Sequence, residues 1–416
     1  MTTRTRQEET PVAALLRHGY PTPVHQTALI WDDALARYRF RPGHPMDPRR
    51  LELTVSLIRA LDLVGDARRP ILSPGHASDR DLLRVHSDEY LVAVRRASRR
   101  GTVADAGLLH YGLGTEDVPI VEDMHAAARA IVGATLRAAE VVMEGEALRA
   151  YSLAGGLHHA MPDRASGFCV YNDLAVAIRW IQEHYGARVM YIDYDAHHGD
   201  GVQRVFYDDP DVLTVSFHES GLYLFPATGF IEEFGEGEGY GYSVNVPLEA
   251  HTGDASFLAA FETLVPELAS AFRPDVIVLQ TGCDSHVWDP LTHLRCTTGL
   301  YEQLARIVGA VADEHCGGRI IATGGGGYAV YEVVPRAWTL TWAALCGDEA
   351  PDGIPPDWRA AVEAEAGQAL PTALRDPASI VAPAPNEAQR DVVNDRTVRS
   401  LRRKVMPIIT GWGLGF

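Results

Sequence analysis

The sequence predicts an α/β protein built on a parallel sheet with helices on both faces. Five short apolar, β-branched runs occupy its centre, at 150–153, 189–192, 212–217, 276–279 and 320–323. Helix-like stretches lie between several of them, at 174–185, 256–272 and 301–314. Strands alternating with helices argue for parallel pairing with both faces covered. Each run is also followed at once by residues suited to chemistry: Gly155-Gly156-Leu157-His158-His159, Asp193-Tyr194-Asp195-Ala196-His197-His198-Gly199-Asp200, His218-Glu219, Gly282-Cys283-Asp284-Ser285-His286 and Gly324-Gly325-Gly326-Gly327-Tyr328. In open α/β sheets ligands bind at the carboxyl ends of the strands.

Taken in order, residues 1–25 read as a poorly ordered N-terminal extension and 41–48 as a proline-punctuated segment. Leu51, Leu53, Val55, Leu57, Ile58 and Leu61 suggest a helix, and the alanine-rich stretch 123–144 a long buried one. The strand-and-helix region belongs to one domain over 26–347. Beyond it, 348–416 changes to a Pro-, Ala- and Glu-rich composition and is expected to pack on the domain or trail it. Arg396, Arg399, Arg402, Arg403 and Lys404 would place several cations on one helix face, which reads as a solvated surface.

The chain has 416 residues and a net charge of -18, from 37 basic and 55 acidic side chains. That balance argues against direct binding to nucleic acid and favours cationic substrates. Five cysteines without a C-x-x-C pair exclude a cysteine zinc ribbon and a disulfide framework. No apolar leader follows Met1 and no run of about 18 apolar residues occurs, so neither a signal peptide nor a membrane span is expected. The expected setting is the reducing cytoplasm.

Asp193, Asp195 and His197 share one face if the second strand stays extended through them. Asp195, His197 and Asp284 then form a set of two oxygens and one nitrogen with room for a further ligand, the catalytic pattern for zinc. Such a set also accepts Fe²⁺, Co²⁺ or Mn²⁺. His158 and His159 are candidates for acid and base work on a metal-activated water, with Asp193 and Asp200 to orient them. Tyr328, after four unhindered glycines, could swing toward a substrate and donate to a developing oxyanion. Gly167-Phe168 and Phe225-Pro226 could wall an apolar slot. Asp117 could accept backbone N–H groups at the rim, though taken alone it would be a turn residue.

These strand-end motifs, with Ala165-Ser166-Gly167-Phe168-Cys169-Val170-Tyr171-Asn172-Asp173, Gly199-Asp200-Gly201-Val202 and His44-Pro45-Met46, resemble the signatures of the zinc-dependent histone deacetylase family. The likeness is to class I members and above all to their bacterial acetoin-utilization, AcuC-type relatives. It runs in order from about Ala28 to Cys346. The resemblance implies a single-domain arginase/deacetylase fold with a central eight-stranded parallel sheet, and hydrolysis of an N-ε-acyl-lysine amide. It implies Asp195, His197 and Asp284 as zinc ligands, His159 as general base with His158 beside it, Asp193 and Asp200 as their partners, and Tyr328 on the scissile carbonyl. Gly167, Phe168, Phe225 and Leu291 match the substrate tunnel, Asp117 the rim aspartate and Arg50 the inner acetate cavity. Asp193, Asp195, His197, Ser216 and Phe217 match an inner potassium site; Phe206, Asp209, Val212 and Tyr242 match an outer one, with Asp209 where threonine is common. His286 and Trp288 depart from the family at the expected lip. Arg336 alone matches the basic residues of inositol-phosphate-regulated members, so that regulation is not expected.

The partner is thus an acetylated protein or a small acylated amine, with oligomeric state open. An acetylpolyamine amidohydrolase is the nearest alternative, but such enzymes tend to carry an acid where Leu291 stands. A binuclear manganese ureohydrolase would need an aspartate where His286 stands.

Overall fold

The computed structural model describes residues 25–382 and 385–411. The extension expected over 1–25 lies outside the described residues as far as residue 24. The elements run β1 (His25–Ile30), α1 (Arg49–Ala60), β2 (Ile71–Leu72), α2 (Asp79–Leu82), α3 (Asp88–Ala97), α4 (Ala106–His110), α5 (Met124–Met143), β3 (Ala147–Ser152), α6 (Asp173–Tyr185), β4 (Val189–Asp193) and α7 (Asp200–Val205). They continue with β5 (Val212–Glu219), β6 (Ser243–Leu248), α8 (Asp254–Phe272), β7 (Val276–Gln280), α9 (Thr298–His315), β8 (Ile320–Thr323), α10 (Val334–Cys346), α11 (Pro356–Ala366) and α12 (Glu387–Ile409).

The eight strands form one sheet in the order β2-β1-β3-β8-β7-β4-β5-β6, and every pairing is parallel. The eight-stranded α/β architecture is therefore as expected. The five apolar runs became β3, β4, β5, β7 and β8, five adjacent strands. They are buried on both faces, which is why they read as continuous apolar runs. Of the three strands that the runs missed, β2 and β6 are the sheet's two edges and β1 lies next to β2.

Helices cover both faces. α5 packs on α6 and β3, while α10 packs on α9 and α1. All thirteen residues of α10 are buried, including Trp338, Trp342 and the charged Arg336. α8 is long and apolar enough to cross a membrane, contrary to the sequence expectation, yet Phe257, Phe261, Leu264, Leu268 and Phe272 are buried in the core. α12 packs on α8 and β6 through Val398, Leu401 and Val405. Its basic run is solvated and ion-paired: Arg402 Nη2 lies 2.5 Å from Glu267, Lys404 Nζ 3.3 Å from Glu232, and Arg399 pairs with Asp395.

The strand order fixes where a site can form. β7 and β8, late in the chain, insert between β3 and β4. The connection from β3 therefore leaves a crevice at the carboxyl ends of β3, β8, β7 and β4, a switch point of the kind where α/β proteins bind ligands.

Candidate active site

Those four strand ends bring the predicted residues together. Asp195, His197 and Asp284 are buried, and their ligand atoms lie within 4.8 Å of one another. His197 Nδ1 is 2.8 Å from Asp284 Oδ2 and 3.1 Å from Asp195 Oδ1. One detail differs from expectation. β4 ends at Asp193, and Asp195 and His197 lie in the bend beyond it, so alternation along a strand does not align them. Backbone and side-chain donors do so instead. Asp195 Oδ2 accepts from Gly326 N at 2.7 Å and Gln280 Nε2 at 2.8 Å, and Asp284 Oδ1 accepts from Ala196 N at 2.8 Å.

This donor set fits a divalent ion. Tetrahedral ligands about 2.0 Å from an ion stand roughly 3.3 Å apart, near the separations observed. The carboxylates also repel: burial and then the Asp195 charge push the Asp284 carboxyl up to about 6. A dication between them would remove that penalty.

The histidine pair stands beside this cluster. His158 Nδ1 is 2.7 Å from Asp193 Oδ2, which also accepts the Tyr191 hydroxyl at 2.5 Å. His159 Nδ1 is 2.7 Å from Asp200 Oδ1. The two Nε2 atoms meet at 3.1 Å, so one proton can lie between them. Their environments differ. Burial opposes charge on His158, but Asp193 and Asp195 outweigh it and its pKa is pushed up to about 9. Burial, followed by the charge of His158, lowers that of His159. The two rings therefore favour opposite protonation states.

The glycine loop does not give Tyr328 the freedom expected of it. Gly324 to Gly327 are buried, and a Cβ on Gly326 would stand 2.1 Å from Asp284 Oδ2. Glycine is needed there because the backbone closes over the Asp284 and Asp195 carboxylates. Tyr328 is fixed by its backbone N–H, which donates to Asp289 Oδ2 at 2.8 Å. Its ring packs edge-on to Phe168 at 5.7 Å and His197 at 6.5 Å. Burial, then the charges of Asp284 and Asp195, raise its pKa well above the usual range, so the phenol keeps its proton as a donor. Arg50 Nη1 donates to Gly325 O at 2.7 Å and Gly327 O at 3.0 Å beneath the loop.

Phe168 and Phe225 flank the approach. Phe225 lies 5.1 Å from the His159 ring and is 47% exposed. Phe168 has a φ of 66°, and a Cβ on Gly167 would meet His159 Cδ2 at 2.2 Å. Asp117 Oδ2 accepts from Gly167 N at 2.7 Å, a bond within the chain that fixes the turn leading into Phe168. Leu291 is partly buried, with its N–H on Asp289 Oδ1 at 3.0 Å. Trp288 is 46% exposed, but His286 is not a lip residue. It is completely buried, with Nε2 2.8 Å from Asp376 Oδ2. Arg336 is likewise buried and paired with Asp376 at 2.7 Å.

Of the residues matched to an inner potassium site, Asp193 stands opposite Ser216 in the β4–β5 register, with Phe217 next to it. In the outer set, Asp209 N donates to Phe206 O and Val212 N to Asp209 O, while Tyr242 O accepts from Thr214 N. Asp209 Oδ2 is taken by Arg179 at 2.6 Å and Gln182 at 3.1 Å. His198 bonds Thr228 and Gln203, at 2.8 and 3.1 Å.

Sequence reasoning missed Asp173, Gln280 and Asp289 as parts of the site. Asp173 accepts from Gly156 N at 3.0 Å, Leu157 N at 2.8 Å and the Thr135 hydroxyl at 2.6 Å, fixing the turn that presents the histidines. A polar Gln280 ending an otherwise apolar strand was the available signal for the second.

Comparison with known proteins agrees with this geometry. The histone deacetylase domain model matches residues 44–345. The chain is 47% identical over 375 residues to the acetoin utilization protein AcuC of Bacillus subtilis (strain 168), covering 90% of this chain and 96% of that protein. It is 42% identical to the protein of that name in Staphylococcus aureus (strain MRSA252), covering 80% and 85%. The crystal structure of an HDAC homolog from Aquifex aeolicus superposes with a TM-score of 0.80 at 30% identity, over 91% of this chain and all of that one. An HDAC homolog complexed with SAHA gives 0.79 at 30% identity, over 90% and 99%.

Proposed function

The chain belongs to the histone deacetylase family, AcuC-type, and on that premise we propose that it hydrolyses N-ε-acetyl-lysine in proteins to lysine and acetate. The observation that carries this reading is the two histidine–carboxylate pairs, meeting at 3.1 Å, beside a buried cluster of two carboxylates and one imidazole. Asp195, His197 and Asp284 would hold Zn²⁺, with Fe²⁺ as the other candidate. When bound, the ion supplies Lewis acidity to the carbonyl and acidifies a water molecule.

The chain's own groups do the rest. Neutral His159 accepts the attacking water's proton at Nε2, with Asp200 fixing its tautomer through Nδ1. The Tyr328 hydroxyl donates to the carbonyl oxygen as it gains charge. His158, held cationic by Asp193, gives its proton to the departing amine. Phe168 and Phe225 line the lysine methylenes and exclude water, Asp117 holds the rim, and Arg50 faces the acetate side. The inner and outer carbonyl sets are proposed to take potassium. Five unpaired, buried cysteines support a reducing, cytoplasmic setting.

The deciding experiment assays the metal-loaded protein in parallel on acetyl-lysine peptides, longer acyl-lysines and acetylpolyamines, with a hydroxamate control. Hydroxamate-sensitive turnover of acetyl-lysine peptides is expected. Preference for acetylpolyamines would replace this reading with the small-amine one.

A further inference from the structure

The loop 284–291 carries two site functions at its two ends. Asp284, at its start, belongs to the carboxylate–imidazole cluster. Asp289, near its end, accepts the Tyr328 N–H at 2.8 Å and the Leu291 N–H at 3.0 Å. Between them sits a fully buried imidazole, His286. A buried polar ring is costly unless its nitrogens are bonded. The Trp288 N–H donates to His286 Nδ1 at 3.1 Å, so the ring proton is on Nε2 and points to Asp376 Oδ2, 2.8 Å away.

Asp376 is well fixed. It lies on the segment after α11, with its own N–H on the Thr298 hydroxyl at 3.0 Å. Its Oδ2 also accepts from Thr298 N at 2.9 Å, at the start of α9. Its Oδ1 accepts from Arg336 Nη1 at 2.7 Å, in α10. One buried carboxylate thus ties two core helices to the midpoint of the loop. The backbone bonds of Cys296 N to Ser285 O and Val287 N to Cys296 O, at 3.0 and 2.9 Å, hold the loop from its side. Among the described residues, only the His286–Asp376 hydrogen bond reaches residues 284–291 from the C-terminal segment.

We propose that Asp376 is a positioning residue which, through His286, holds loop 284–291 in the register that aims both Asp284 and Tyr328 at one reacting centre. The role rests on the reading of this site as a deacetylase centre. It makes the C-terminal segment part of the catalytic apparatus. An apolar residue at 286 would fill the space but would not fix the loop against the helices. Groups that orient metal ligands are worth about 10- to 100-fold in metal affinity or activity.

Two variants of His286 separate the strut from simple packing. His286→Asn keeps an acceptor near the Nδ1 position but falls short of Asp376. His286→Gln keeps a donor within its reach. Both leave the Arg336–Asp376 pair intact. In H286N, zinc affinity by chelator competition and kcat on an acetyl-lysine peptide are each expected to fall about tenfold or more. KM is not the discriminating readout, because Trp288 of the mouth lies on the same loop and bonds to His286. H286Q should recover most of both losses. A purely structural role predicts equal losses of Tm in the two variants, with wild-type zinc affinity and kcat; that result overturns the proposal, as does an H286Q loss as deep as that of H286N. Should H286N not fold, Asp376→Glu carries the same test, since it keeps the charge and displaces the carboxylate by one methylene: reduced zinc affinity and kcat support the strut, and wild-type values refute it. If the wild-type chain turns over no acyl-lysine peptide, the deacetylase reading fails, while the zinc measurements still decide the strut.

Discussion

At the floor of the site, Asp195, Asp284, His158 and His159 are each held by at least one bond of 2.7 or 2.8 Å to a group that is itself buried. At the mouth, Phe225 and Trp288 are 47% and 46% exposed. The floor is made by strand ends and backbone donors, the mouth by loops that lie on them. Chemistry demands an invariant geometry in the first place and tolerates variety in the second, so a substitution should be felt as lost turnover below and altered substrate affinity above.

The sharpest way to break this contrast is at the floor. Asp284→Ala removes one of three converging donors, and metal content after dialysis should fall below about one hundredth of wild type, with turnover following; full metal occupancy would refute the ligand assignment. Tyr328→Phe keeps the ring between Phe168 and His197 but deletes the donor, so kcat should drop about 10²- to 10³-fold with metal content intact. An unchanged kcat would remove Tyr328 from the chemistry.

The pH profile probes the histidine pair as a unit. Activity should rise as His159 loses its proton, below the usual 6.5, because burial and His158 lower its pKa. It should fall as His158 loses its proton near about 9, a limit that a dication on Asp195 would bring down. Asp193→Asn deletes the first charge that raises His158, so the falling limb of kcat/KM should move to lower pH while the rising limb stays. A falling limb that does not move would assign it to another group.

Asp117→Ala tests the mouth. Losing the acceptor for Gly167 N frees the turn that sets Phe168, and KM for an acetyl-lysine peptide should rise about tenfold with kcat within about threefold. A kcat loss matching that of Y328F would erase the distinction between the two regions. Arg402→Ala, on the solvated face of α12, should leave kcat/KM unchanged, and a loss there would mean that the basic face reaches the site.

The floor was legible in the sequence because its His, Asp and Gly residues directly follow short, fully buried apolar runs. The missed strands were those whose surroundings are mixed. β1 opens with His25-Gln26-Thr27, β2 has two residues, and β6 contains Pro247. All three lie toward the sheet edges, where less of the strand needs to be apolar. The mouth resisted reading for a different reason. Whether His286 meets solvent or a carboxylate depends on Asp376, ninety residues away, and no local pattern encodes that approach. The glycine loop shows the same limit: its composition suggested freedom, whereas packing against Asp284 is what excludes larger residues.

The insertion of β7 and β8 between β3 and β4 also sets a timetable for synthesis. Ser152 in β3 ends beside Thr323 in β8, and Asp193 in β4 beside Gln280 in β7. While the nascent chain is still short of those later strands, β3 and β4 each present an unpaired edge, and Asp195 and His197 lack their third partner. Long-range parallel pairing forms slowly and leaves sticky edges exposed in the meantime. A cluster that needs Asp284 can therefore be completed only once β7 has been made and paired, and until then the β3 and β4 edges stay open to wrong partners.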